Sequence, residues 1–172
     1  KEVIEREHKM LEEIRVRADY IIDTTSLSIA KLRERMIELC TESADPDKSI
    51  NITVMSFGFK YGVPVESDLL LDVRFLPNPY YLTELRGKTG QDAPVRDYVM
   101  SWPQTHEFLE HLYGLCDFLI PQYIEEGKTS LVIAIGCTGG KHRSVALAEV
   151  LAEHIAEGGY LVSAVHRDSG RE

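Results

Sequence analysis

The sequence predicts an α/β fold: a small parallel or mixed sheet flanked by helices, preceded by a shorter helix-strand-helix piece. Three observations predict it. From Ile50 onward, apolar runs of strand length alternate with stretches of helical period. Leu131 to Ile135 is an uninterrupted apolar run of the kind buried on both faces of a parallel sheet. A glycine pair, Gly139-Gly140, then leads almost directly from that run into an amphipathic helix.

In chain order, Lys1 to Arg17 is helical in pattern, with Ile4, Met10, Leu11, Ile14 and Ala18 roughly on one face. Asp19 to Thr24 reads as a short buried strand by composition. Ser26 or Ser28 is the expected N-cap of a helix in which Ile29, Leu32, Met36, Ile37 and Leu39 recur at helical spacing. Thr41 to Ser49 has the composition of a linker, almost devoid of apolar residues. It divides residues 1–45 from 46–172. One helix, one strand and one helix are too little to fold alone. The chain opens already helical and without Met, and Arg167 to Glu172 stop abruptly after a strand, so both ends are expected to be cut from a longer protein.

After the linker, Ile50 to Phe59 is strand-like and runs into the glycine-punctuated stretch Ser56 to Gly62. Leu69 to Leu76 reads as a second strand, with Asp72 and Arg74 at period two. Pro77-Asn78-Pro79 ends it, because proline cannot continue a ladder. Asn78 to Pro94 reads as one long irregular segment. Pro103 to Glu126 is helical, with Phe108, Leu112, Leu115, Leu119 and Tyr123 at spacings of three and four. Val145 to Ala156 is a helix stopped by Gly158-Gly159, and Tyr160 to Val165 is a last strand.

Composition bounds the function. With 172 residues, 44% of them apolar, the chain can bury one good core. The longest apolar runs fall far short of a membrane span and no signal-peptide pattern opens the chain, so a cytoplasmic protein without a membrane partner is expected. Three scattered cysteines, Cys40, Cys116 and Cys137, fit a reducing compartment better than a disulfide scaffold. The net charge of −9 argues against a surface that attracts nucleic acid as a whole. A local basic patch remains compatible with it.

The chemistry concentrates in Gly136-Cys-Thr-Gly-Gly-Lys-His-Arg-Ser144. The first N–H groups of a helix lack internal partners and the helix dipole favours an anion there. Gly139 and Gly140 allow close backbone approach. Thr138 and Ser144 add hydroxyls, Lys141 and Arg143 add positive charge, and His142 can donate or titrate. The loop is not a Walker A: no glycine stands five residues before a Gly-Lys-Ser/Thr, and Lys141 is followed by His. Two chemistries share the spacing. One holds a phosphate-bearing ligand without turnover. The other is a cysteine-dependent C-x5-R phosphatase, with Cys137 as nucleophile and Arg143 on the phosphate. Gly136 stands where that class carries His, and only Asp92 or Asp168 suggests itself as general acid. A solvated glycine-rich connection is the plain alternative, with Cys137 merely a small residue closing a buried strand.

Outside the loop, Arg74 either pairs with Asp72 or faces the pocket. Asp92, after a glycine, suits a turn first and a sugar hydroxyl second. Lys60, Arg86, Lys88 and Arg96 are candidates for a basic rim. His166 and Arg167 end the last strand, expected beside the loop if their strands are neighbours. No pair of residues has metal-ligand spacing, and no metal site is expected.

The loop, together with Ser56-Phe-Gly-Phe-Lys-Tyr-Gly62 and Asp72-Val-Arg-Phe-Leu-Pro-Asn-Pro79, resembles the signatures of the RapZ/YvcJ family. Thr89-Gly-Gln-Asp92 and His166-Arg-Asp168 also match. The likeness runs from about Ile50 to the end, while residues 1–40 resemble the last segment of the family's nucleotide-binding domain. It implies a bacterial cytoplasmic regulator, forming a homo-oligomer, with a phosphofructokinase-subdomain-like C-terminal domain. It further implies binding and weak hydrolysis of ATP or GTP with Mg in a P-loop domain whose Walker motifs are not in this chain. By the same resemblance, enterobacterial members sense glucosamine-6-phosphate and act as RNase adapters on small regulatory RNAs. The sensing loop maps onto residues 136–144 and its companion onto Phe57 to Gly62, which brings in Lys60 and Tyr61. Tyr61 replaces the His of enterobacterial members, and the chain ends without the basic tail some members use on RNA. An RNA-binding module remains a further alternative.

Overall fold

A computed structural model describes residues 50–171 throughout. Before them it describes Leu11, Ala18, 20–29, Lys31, Leu32, Arg35, Met36 and Lys48. The chain divides into two units, Lys1–Ala44 and Asp45–Glu172.

In the first unit, Ser28 is the cap: its Oγ accepts the N–H of Lys31 at 3.2 Å and its carbonyl accepts that of Leu32 at 2.9 Å. The strand expected over Asp19 to Thr24 is not formed at residues 20–24, where Tyr20 and Ile21 stand exposed. A strand exists only through its ladder, and no partner strand lies beside this stretch among the described residues. Asp19, most of the expected first helix and most of the linker lie outside the described residues.

The second unit carries the sheet. Its strands are β1 (Asn51–Gly58), β2 (Leu69–Asp72), β3 (Ser130–Cys137) and β4 (Leu161–His166). They are all parallel, in the order β2-β3-β1-β4. β3 is central and wholly buried from Ile133 to Cys137, which is what its unbroken apolar run requires. β1 alternates: Ile52 and Val54 enter the core while Thr53 and Met55 are half-buried on the other face.

Three helices complete the unit: α1 (Ala93–Met100), α2 (Pro103–Glu125) and α3 (Arg143–Glu157). α3 packs on β1, β3 and β4 and buries Leu147, Ala148, Leu151 and Ile155. Full burial of a leucine such as Leu147 or Leu151 contributes about 2 kcal/mol. α1 and α2 pack against α3 and each other, enclosing Val95, Val99, Leu109, Leu112 and Cys116.

Two element boundaries differ from the sequence reading. β2 ends at Asp72 rather than Leu76 because Asp72 Oδ1 accepts the N–H of Arg74 at 2.9 Å, which turns the chain out of the ladder. The segment from Asn78 to Pro94 is not irregular throughout. Asn78 caps a 3-10 turn over Pro79–Tyr81 by accepting the N–H of Tyr80. α1 begins at Ala93, with Pro94 in its first turn. That helix is short and buries only Val95 and Val99, too few positions to establish a period.

What matters for function is register. Phe57 stands opposite Gly136 and Gly58 opposite Cys137, so β1 and β3 finish side by side at the carboxyl edge of the sheet. Ligands of open α/β sheets bind beyond that edge.

Candidate functional site

The loop after β3 folds back against the end of β1. Gly140 adopts φ +71°, and a Cβ on it would lie 2.6 Å from the Gly58 nitrogen and 2.8 Å from the Phe57 carbonyl carbon. Gly58 is equally confined, its would-be Cβ 2.7 Å from the carbonyl carbon of Gly139. Both glycines are required by close backbone approach. Behind them, Asp168 Oδ2 accepts the Gly58 N–H at 2.8 Å and two N–H groups of Arg167 at 3.0 and 2.7 Å. Burial pushes this carboxyl up, but the Arg167 guanidinium and the Gly58 N–H outweigh it and hold it below the usual carboxylate range.

On the other side, the Cys137 sulfur accepts the N–H of Gly140 at 3.3 Å and lies 3.1 Å from Ser144 Oγ. His142 is the N-cap residue of α3 and almost fully buried. Burial first, and then the neighbouring Lys141 charge, lower its pKa, while the carbonyls of Arg86, Lys88 and Leu85 act in the opposite sense. Its Nε2 has no hydrogen-bond partner. Gly90 locks this corner: its N–H donates to the Lys141 carbonyl at 2.9 Å, and a Cβ there would strike the His142 carbonyl at 2.3 Å.

Above the loop lies a cavity of about 480 Å³. Five cationic side chains line it, Lys60, Arg86, Lys141, Arg143 and Arg171, together with His142, and no carboxylate does. In a chain of net charge −9, so one-sided a lining focuses anions. Asn78, Tyr80 and Tyr81 form a polar-aromatic wall. Arg86 is preset there, donating from Nε to the Tyr80 carbonyl at 3.1 Å with its guanidinium 4.8 Å from the Tyr80 ring centroid. Lys60 and Arg171 both lie over the Tyr61 ring, at 4.6 and 5.2 Å.

The sequence-predicted residues separate into groups. Cys137, Thr138, Gly139, Lys141, His142, Arg143 and Lys60 line the cavity. Gly140 and Ser144 support it, one pressed on β1 and the other buried against Cys137. Arg143 has less to offer a ligand than expected: Nη1 donates to the carbonyls of Arg74 at 2.9 Å and Leu76 at 2.7 Å, and Nη2 to Thr138 Oγ1 at 3.3 Å. Its main contact is with the strap after β2. Tyr61 serves as a platform for two cations and is not itself a lining residue.

Arg74 pairs with Asp72, Nη2 to Oδ2 at 2.7 Å, and lies over the Phe59 ring at 4.1 Å. Asp92 accepts the N–H of Thr89 at 2.7 Å and its hydroxyl at 3.1 Å, chiefly a turn and helix-start role. His166 and Arg167 do not adjoin the loop's strand, because β1 lies between β4 and β3. His166 instead bridges Ser56 Oγ at 2.9 Å and Glu149 Oε1 at 2.8 Å. Arg96 pairs with Glu153.

Four lining residues were not singled out individually from sequence: Asn78, Tyr80, Tyr81 and Arg171. The proline-bracketed Asn78 and the adjacent tyrosines were the available signal for three of them. Arg171, in a polar terminal stretch, gave none. Among the described residues no cluster of three His, Cys, Asp or Glu side chains has the arrangement of a metal site, and no helix is long and apolar enough to cross a membrane.

Comparison with known proteins matches residues 50–170 to the RapZ C-terminal domain and residues 1–43 to the RapZ-like N-terminal domain. A nucleotide-binding protein of Caldicellulosiruptor saccharolyticus is 53% identical over 97% of this chain, which covers 57% of that protein. Proteins so named in Desulforudis audaxviator and Geobacillus kaustophilus are each 52% identical over 99% of the chain, which covers 58% and 56% of them. The chain thus spans less than two thirds of the length of the curated relatives it matches.

Proposed function

The chain belongs to the RapZ family, and from that membership and the geometry of the cleft we propose that residues 46–172 form a non-catalytic sensing domain for a phosphorylated metabolite, glucosamine-6-phosphate by family resemblance. The observation that carries the reading is the lining of the cavity: five cations and a buried imidazole over a glycine-rich helix start, with no carboxylate. A phosphate dianion finds donors there in Thr138 to His142, with Lys141, Lys60 and Arg86 converging from three segments. Asn78, Tyr80 and Tyr81 offer a sugar ring an amide and aromatic surface. Bound anion draws these segments together, so it favours one arrangement of the protein over another.

Hydrolysis is the weaker reading. Ser144 beside the Cys137 sulfur suits a C-x5-R nucleophile. However, Arg143 is turned onto backbone carbonyls, and neither Asp92 nor Asp168 lines the cavity. For the full-length protein, the reading includes ATP or GTP with Mg in the N-terminal domain. It also includes a homo-oligomer in the bacterial cytoplasm, with a small regulatory RNA and an RNase as partners. The loop at 136–144 lacks the Walker spacing, so the nucleotide is not assigned to it.

Calorimetric titration with glucosamine-6-phosphate against free glucosamine tests the sensing role. Binding of the phosphorylated sugar alone is expected; equal binding of both, or of neither, sinks it. Steeply salt-dependent RNA affinity of this chain would favour the RNA module instead.

A further inference from the structure

The sensing role makes no use of the thiol at the floor of the cleft. Of the two described cysteines, Cys116 is packed in the core, where burial pushes its thiol up to about 11. Such a sulfur stays protonated and inert. Cys137 belongs to the same buried cluster, 3% exposed, but differs in what lies beside it. It ends β3 and lines the cavity, and its sulfur receives the Gly140 N–H at 3.3 Å with the Ser144 hydroxyl at 3.1 Å. Two further side chains in the same lining are more than nine-tenths buried and keep a polar atom unpartnered: His142 at Nε2 and Arg143 at Nε. The Gly140 N–H points at the sulfur from the loop itself. A cation-lined cavity raises the local concentration of small anions beside it.

We propose that Cys137 is a modification site: a peroxide-sensitive thiol whose oxidised form occupies the anion cradle and excludes the phosphorylated ligand. The thiolate sulfur attacks one oxygen of a hydroperoxide. An S–O bond forms and the O–O bond breaks. The departing oxygen leaves with the electron pair and takes up a proton from solvent, as water or an alcohol. Sulfur loses two electrons and the peroxide gains them, leaving a sulfenic acid. Its oxygen, as sulfenate, then sits among the donors and cations arrayed around a phosphate. The thiol chemistry stands on the geometry alone; the exclusion of ligand rests on the sensing role proposed above.

The chain is treated with hydrogen peroxide in the presence of dimedone, and adducts are read cysteine by cysteine by mass spectrometry. Parallel samples are labelled with iodoacetate and iodoacetamide. Adduct on the Cys137 peptide at about tenfold or more over the Cys116 peptide is the expected result. Iodoacetate, the anionic reagent, should match or outpace iodoacetamide at Cys137, and inorganic phosphate should slow labelling about fivefold or more. Cys137 labelled no faster than Cys116 overturns the modification site, even if calorimetry shows sugar-phosphate binding. Selective labelling that phosphate does not slow keeps the thiol site and overturns the exclusion of ligand.

Discussion

Asp168 accepts the backbone N–H of Gly58 at 2.8 Å, and this bond ties the end of β4 to the end of β1 just where Gly140 presses on the sheet. The carboxylate is fully buried and reaches no ligand cavity. It is a buttress for the loop that does.

Removing that carboxylate should therefore loosen the loop from behind. Asp168→Ala strands the Gly58 N–H and takes the carboxylate from Arg167 and Arg171, and is expected to cost about 3 kcal/mol in urea unfolding at neutral pH. The sign with pH follows from its lowered pKa. Its stabilisation is complete above the unfolded value of about 3.9 and is lost as pH falls through the lower folded value. The variant should lack that acid-sensitive contribution.

The two glycines of the loop should respond oppositely. Gly140→Ala forces a Cβ to 2.6 Å from the Gly58 nitrogen at a positive φ, and should cost about 2 kcal/mol or more. Gly139→Ala meets nothing within 4 Å. It should keep its thermal midpoint while weakening sugar-phosphate binding, because Gly139 lines the cavity. Equal midpoints for the two variants would contradict the packing of Gly140 on β1.

Arg143 and Lys141 are neighbours with different work. Arg143→Lys cannot span the carbonyls of Arg74 and Leu76, so unfolding free energy should fall by about 2 kcal/mol. Lys141→Ala should leave stability within about 0.5 kcal/mol and reduce phosphate-ligand affinity about tenfold, an effect that shrinks with added salt. Denaturation and calorimetry on both variants separate the two roles.

His142 sets a second pH limit. Its folded pKa is lowered by burial and by Lys141, so the folded protein holds the imidazole neutral while the unfolded chain takes up a proton near pH 6.5. Stability from this group is present above that value and is lost as pH falls toward the folded pKa. His142→Gln should flatten the decline between about pH 7 and 5. Bound phosphate favours the imidazolium, so proton uptake on binding is expected, measurable as a buffer-dependent heat.

Much of the site was legible because it is contiguous. Strand, glycine pair, cationic residues and helix occupy one run from Leu131 to Glu157, and each follows from local rules: apolar strand, free N–H groups, amphipathic period. The Asp72–Arg74 pair was legible for the same reason, as two residues at period two. The short α1 was not, since two buried valines make no stripe. The expectation that His166 and Arg167 flank the loop failed on strand order, which no local pattern specifies.

The alternating α/β elements and the strand, glycine pair and helix around residues 136–144 follow from the residue order alone, because backbone geometry and periodicity are properties of adjacent residues; that order did not separate Gly140, which close approach requires, from Gly139, which meets nothing within 4 Å. Only the tertiary structure decided that Arg86, Arg171, Tyr80 and Tyr81 join the cavity, that Arg143 turns onto the strap after β2, and that Asp168 stands behind Gly58. Those contacts join residues 67 to 110 positions apart. They depend on β1 being threaded between β3 and β4, a choice made by the burial of the whole core rather than by any segment within it.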